Sequence, residues 1–180
     1  VDSEKLLHRG KLIQVRPHTR FVHFPRHRHN YVEVVYMCQG TTTHYIDGNK
    51  VVLQPGDLLF LNQHSRQEIL PAGKQDIAVN FIVLPEFFNT AFSMMGAEEN
   101  ILKEFLTGTL CGKDQQTSYL YFHVADVLPI QNLVENMVWT IFYNMGNKRS
   151  CNQITMGLLL LLFFTIWEIR EAVIKLPWVC

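Results

Sequence analysis

Turn-forming residues punctuate the first half of the chain at a nearly constant interval, and that rhythm restricts the fold more than any other feature. They fall at Gln39 and Gly40, Asp47 and Gly48, Pro55 to Asp57, residues 62–65, and Ala72 and Gly73. The spacing, about one turn every eight residues, is the beat of short antiparallel strands in a sandwich or barrel. Asp47-Gly48 is the clearest hairpin, because both residues accept the positive φ of a type I′ turn, which would join residues 41–46 to 49–54. Strands are expected near residues 11–16, 20–24, 31–39, 41–46, 49–54, 57–61, 66–70 and 75–84. Such a set closes into a small barrel.

After Pro85 the period changes. Ile130, Leu133, Val134, Met137, Val138, Ile141, Phe142 and Met145 recur at three- and four-residue steps, with Pro129 suited to a first helical turn, so an amphipathic helix is expected there. A second helix is expected from a capping box at Ser150 and Gln153 to about Lys175, ahead of Pro177. Its residues 158–167 are apolar all round, which asks for cover on two sides. A second copy of the chain is the expected cover, with Leu158, Leu161, Leu162 and Ile169 as the candidate dimer seam. A shorter helix near residues 98–106 and a strand near 118–124 fill the connection. The division expected is a barrel over residues 1–95 and a helical part packed on it over 96–180.

Composition narrows the function classes. At 180 residues, 48% hydrophobic and 18% charged, the chain can bury a full core. Sixteen basic residues balance sixteen acidic ones, so the positive excess of a phosphate-neutralising module is missing and these residues are not expected to read nucleic acid. Cys38, Cys111, Cys151 and Cys180 are far apart and form no C-x-x-C pair, which suits a reducing compartment, and cytoplasm is the expectation. No signal peptide is visible, and the apolar run at residues 156–167 is shorter than the ~20 residues of a membrane span, so no membrane is expected. A chain that opens on Val1 and stops just past Pro177 reads as a piece of a longer protein.

The chemistry concentrates in His27-Arg28-His29-Asn30-Tyr31-Val32-Glu33, closed by Gly40. Strand alternation puts Tyr31, Glu33, Val35 and Met37 on one face and Val32, Val34, Tyr36 and Cys38 on the other. A carboxylate among apolar neighbours is costly unless paired, and the two histidines entering the same strand are the nearest partners. The plain alternatives are a structural Glu33 that touches no ligand, and His18, His23, His27, His29 and His44 as solvated groups beside strands. Tyr31, Val35, Met37 and Phe81 equally suit a core.

His27, His29, Glu33 and Gly40 keep every spacing of the first cupin motif, His-x-His, three residues, Glu, six residues, Gly. Together with the later Gly56-Asp57-Leu58-Leu59-Phe60 and the two long helices, the chain resembles the amino-terminal effector domain of AraC-type transcriptional regulators. The resemblance implies a mainly β fold with α, a cupin-like antiparallel β-barrel or jelly roll followed by an antiparallel helical dimerisation element. A carboxy-terminal DNA-binding domain with two helix-turn-helix units would follow residue 180. It implies a small polar effector held by His27, His29, Tyr31, Glu33, Gln67 and Asn80, a homodimer, and no catalytic residues. The second cupin motif brings a histidine where Gln67 stands, while His64 sits in the preceding turn. His27, His29 and Glu33 are then the remaining candidates for a divalent transition metal, as an incomplete facial set, and no cofactor is expected. The alternatives are a metal-dependent cupin enzyme, a dioxygenase or isomerase, and a dimerisation module with a vestigial pocket.

Overall fold

The computed structural model describes residues 2, 3, 7, 9–94, 101–111, 117–143 and 148–168. Its strands are β1 (Ile13–Pro17), β2 (Phe24–His27), β3 (Val32–Gln39), β4 (Thr42–Ile46), β5 (Asn49–Leu53), β6 (Leu58–Leu61), β7 (Gln67–Ile69), β8 (Ile77–Val83) and β9 (Tyr119–Phe122). They form a five-stranded sheet, β1-β8-β3-β6-β9, and a four-stranded sheet, β2-β7-β4-β5. Every pairing among them is antiparallel. The helices are α1 (Asn89–Met94), α2 (Ile101–Cys111), α3 (Leu128–Tyr143) and α4 (Lys148–Glu168).

Alternation along β3 explains the layering. Val32 and Val34 join Ile13, Phe60 and Phe81 in a core shared with the buried residues of α2, α3 and α4, whereas Val35 and Met37 pack with Ile46, Val51, Leu53, Leu59 and Leu61 between the sheets. The larger sheet is therefore covered on both faces, and its strands read as nearly continuous apolar runs. Glu33 lies on the inter-sheet face, as the alternation requires. Gly40 ends β3 with φ of 72°, where a Cβ would stand 2.3 Å from Asp76 Oδ1. Gly56 has φ of 87° and would meet the Ala125 backbone at 2.6 Å. Both turns need glycine for conformation and for space.

Several expectations are corrected. The second strand, expected near residues 20–24, runs Phe24–His27, because Phe21 takes a left-handed φ of 66° and donates its N–H to the Ala72 carbonyl at 2.8 Å, outside any ladder. Ser150 is not a cap: α4 begins at Lys148 and holds Ser150 inside its first turn. The shorter helix continues to Cys111, and β9 pairs with β6, so the large sheet extends beyond residue 95. Phe142 is 67% exposed, on the side of α3 away from buried Ile130, Val134, Met137 and Ile141. Met145 and Lys175 lie outside the described residues.

α4 needs less cover than its composition suggests. Cys151, Thr155, Leu159, Leu162 and Ile166 are buried at helical spacing, while Ile154 and Leu161 are 46% and 56% exposed. Asn152 adds a polar tether, accepting from the Leu12 N–H at 3.1 Å and donating to the Gly10 carbonyl at 3.0 Å. The window Arg149–Ile166, at mean hydropathy 1.3, is long and apolar enough to cross a membrane by length and composition, which the apolar run alone did not suggest. Within that window 31% is buried, along the one stripe that joins the core.

Candidate functional site

A cavity of about 170 Å³ lies between the sheets, lined from the larger sheet by Glu33 of β3 and Asn80 and Ile82 of β8. Arg16 of β1 and the following His18 form another side; Phe24, His27, His29 and Tyr31 close it around β2, and Ile69 of β7 contributes from the smaller sheet. Register explains the convergence. On β8, Asn80 faces Val35, and Ile82 faces Glu33, so Asn80 lies diagonal to Glu33 on one face. On β7, Gln67 pairs with His27 and Ile46.

Glu33 is 4% exposed and Gln67 fully buried. The Gln67 amide nitrogen donates to Glu33 Oε2 at 2.5 Å and approaches His29 Nε2 at 2.9 Å. The Asn80 amide nitrogen donates to the other oxygen, Glu33 Oε1, at 2.7 Å, and Asn80 Oδ1 meets His18 Nδ1 at 2.9 Å. Burial is thus offset by one amide donor on each carboxylate oxygen. His29 Nε2 stands 3.7 Å from Glu33 Oε2. Burial, the largest effect, lowers the His29 pKa to about 4, with Glu33 opposing it and His27 adding to it. His44, fully buried behind this group with its ring centroid 5.6 Å from that of His18, is lowered to about 3, again chiefly by burial. Burial and Glu33 both push the Tyr31 hydroxyl upward.

The structure brings together His29, Glu33, Gln67 and Asn80 in one network and places Tyr31 against the His29 ring, centroids 4.5 Å apart. His27 lines the cavity, but its Nδ1 bonds the Pro25 carbonyl at 2.8 Å. His18, expected as a solvated group beside a strand, is instead 7% exposed and bonded to Asn80. The sequence carried a signal for this: alternation from buried Ile13 and Val15 sets His18 in phase with Gln14 and Arg16, toward the other face.

The donor set does not fit a metal. Both oxygens of Glu33 are engaged by amides, His27 is turned to its own loop, and His64 reaches the Gly108 carbonyl of α2 at 3.0 Å instead of the cavity. Among the described residues no group of three or more His, Cys, Asp or Glu is placed to hold an ion. The cavity can instead offer hydrogen-bonding groups on a mixed polar and apolar wall, the make-up of a small-molecule site.

Residues 13–88 match the family model of the AraC-like ligand binding domain. Among solved structures, the chain is similar to an apo variant of ToxT from Vibrio cholerae, at 9% identity and a TM-score of 0.58, covering 89% of this chain and 57% of that one. It is also similar to wild-type ToxT from the same organism with an unsaturated fatty acid bound, at 10% identity and a TM-score of 0.53, covering 89% and 54%. At such identities the likeness is one of fold, and this chain spans a little over half the length of those structures. No curated protein sequence matches it.

Proposed function

We propose that this chain, whose residues 13–88 match the AraC-like ligand binding domain model, is the effector-sensing and dimerisation part of an AraC-type transcriptional regulator and not an enzyme. The observation that carries the reading is the buried Glu33, held between Gln67 and Asn80 at the wall of a half-open cavity. A small polar effector binds there, touching His29, Tyr31 and Asn80, and favours one arrangement of barrel and helices by its differential affinity for it. The start of the chain can take part, since the Ser3 N–H donates to Asn30 Oδ1 at 2.7 Å, one residue from His29. A homodimer forms through exposed apolar residues of the last helix, with Leu161 and the half-buried Leu158 in the seam. Ile169 lies outside the described residues. DNA is read by a domain beyond residue 180, and the regulator works in the cytoplasm.

The fatty acid of the ToxT structure is not carried over, because a carboxylate headgroup would meet Glu33 in a cavity of only about 170 Å³. Thermal-shift titration with a panel of small polar metabolites tests the reading. A true effector raises Tm by mass action in the wild-type chain and loses most of that shift in Glu33→Gln. Elemental analysis of the same preparations tests the metal-enzyme alternative. Near one transition-metal ion per chain, lost in His29→Ala, would replace the sensor reading with that one.

A further inference from the structure

Glu33 sits at the centre of a relay that decides which nitrogen of each neighbouring histidine carries the proton. A carboxylate only accepts hydrogen bonds, so Gln67 and Asn80 must both turn their NH₂ groups toward it. That fixes two amide orientations. The second amide proton of Gln67 then points to His29 Nε2 at 2.9 Å. A nitrogen that accepts is bare, so the His29 proton resides on Nδ1. On the other arm, Asn80 Oδ1 is left as an acceptor for His18 Nδ1 at 2.9 Å, so His18 also carries its proton on Nδ1 and has a bare Nε2. Four buried atoms of this group remain without a protein partner, His29 Nδ1, His18 Nε2, Gln67 Oε1 and His44 Nδ1, and of these four residues His29 and His18 line the cavity, the first offering a donor and the second an acceptor. An unpaired buried polar atom costs roughly 1–3 kcal/mol, so a molecule supplying both partners gains by binding there.

We propose that Glu33, acting through Gln67 and Asn80, locks His18 and His29 as neutral Nδ1–H imidazoles, so that the cavity selects an uncharged ligand offering a donor to His18 Nε2 and an acceptor to His29 Nδ1–H. A hydroxyl beside a carbonyl or amide is the simplest such pattern. Burial keeps His29 neutral near pH 7, in agreement with its pKa of about 4. Glu33 disfavours an anion at this end of the cavity, while Arg16 lines it from an exposed position on β1. The ligand half of the proposal rests on the sensor reading; the tautomer half does not.

The test labels histidine with ¹⁵N in the 180-residue chain and reads the imidazole nitrogens by long-range ¹H–¹⁵N correlation at neutral pH. Both rings are expected as Nδ1–H, and an Nε2–H signal from His18 or His29 overturns the relay in the wild-type chain, before any variant is made. Gln67→Leu should release His29 alone and Asn80→Leu His18 alone; a folded variant in which both rings or neither respond contradicts the relay. Glycolamide, glycolate and ethanolamine, similar in size but neutral, anionic and cationic, then probe the ligand class. Glycolamide should shift both rings and bind at least roughly tenfold more tightly than either ion. Glycolate binding as tightly, or glycolamide leaving both rings unmoved at tens of millimolar, overturns the class. Expected tautomers in a regulator whose DNA binding ignores every ligand would keep the relay and end the sensor reading, whereas wrong tautomers would do the reverse.

Discussion

Two buried histidines make the barrel acid-sensitive in a definite direction. Burial lowers His29 to about 4 and His44 to about 3, whereas in the unfolded chain both titrate near the ordinary imidazole value of 6.5. Between those limits the unfolded state binds more protons, so stability is whole above about pH 6.5 and falls as pH drops toward 4. Each histidine contributes a loss of roughly 1.4 kcal/mol per pH unit over its window. Urea titrations across that range check this, and His44→Gln should flatten part of the slope. A second residue-scale prediction separates strain from collision. Gly40→Ala and Gly48→Ala both place a side chain at positive φ, but only at Gly40 does a Cβ collide, while Gly48 has nothing within 4 Å. Both should lose roughly 1–3 kcal/mol through backbone strain, and Gly40→Ala more, read as midpoints of denaturant unfolding. At this scale the sequence was informative where spacing acts alone: the face of Glu33 and the glycine after it follow from period and turn chemistry. It was silent on the amide clamp, because Gln67 and Asn80 reach Glu33 from β7 and β8 across register that no local pattern encodes.

α4 carries the sharpest element-scale contrast. Leu162 is 1% exposed and belongs to the core with Phe105, Val134 and Met137, whereas its neighbour Leu161 is 56% exposed. Leu162→Ala should therefore cost roughly 2–5 kcal/mol of stability. Leu161→Ala should change it by less than about 0.5 kcal/mol. If the seam runs along α4, sedimentation should show Leu161→Asp as a folded monomer, while a wild-type chain that is monomeric at high micromolar concentration would remove the dimer proposal. The hairpin at Asp47 and the helix at residues 130–141 were legible because turn residues and a four-three-four apolar step act within one element. Which face of α4 is buried was not legible, since leucines fill all its sides and the choice is made by α3 and the sheet.

At the scale of the whole molecule, the larger sheet is a partition, with the helices on one face and Glu33 and the cavity on the other. The turn rhythm announced this sandwich, but not the order in which its strands lie; β9 joins from beyond two helices because β6 offers it a free edge. Gln131 of α3 ties the helices to this sheet, donating to the Gly56 and Val124 carbonyls and accepting from the Tyr36 hydroxyl on β3, and on the proposed reading an effector would act on the helices through such contacts. With sixteen basic and sixteen acidic residues, little counterion release is available on DNA. The most direct measurement compares affinity for promoter DNA, over a range of salt, of the 180-residue chain and of a version extended into the residues that follow. The short chain is expected to bind without sequence preference, and the extended chain to bind its site specifically, as a dimer on paired half-sites. Specific binding by the 180 residues alone would contradict the assignment.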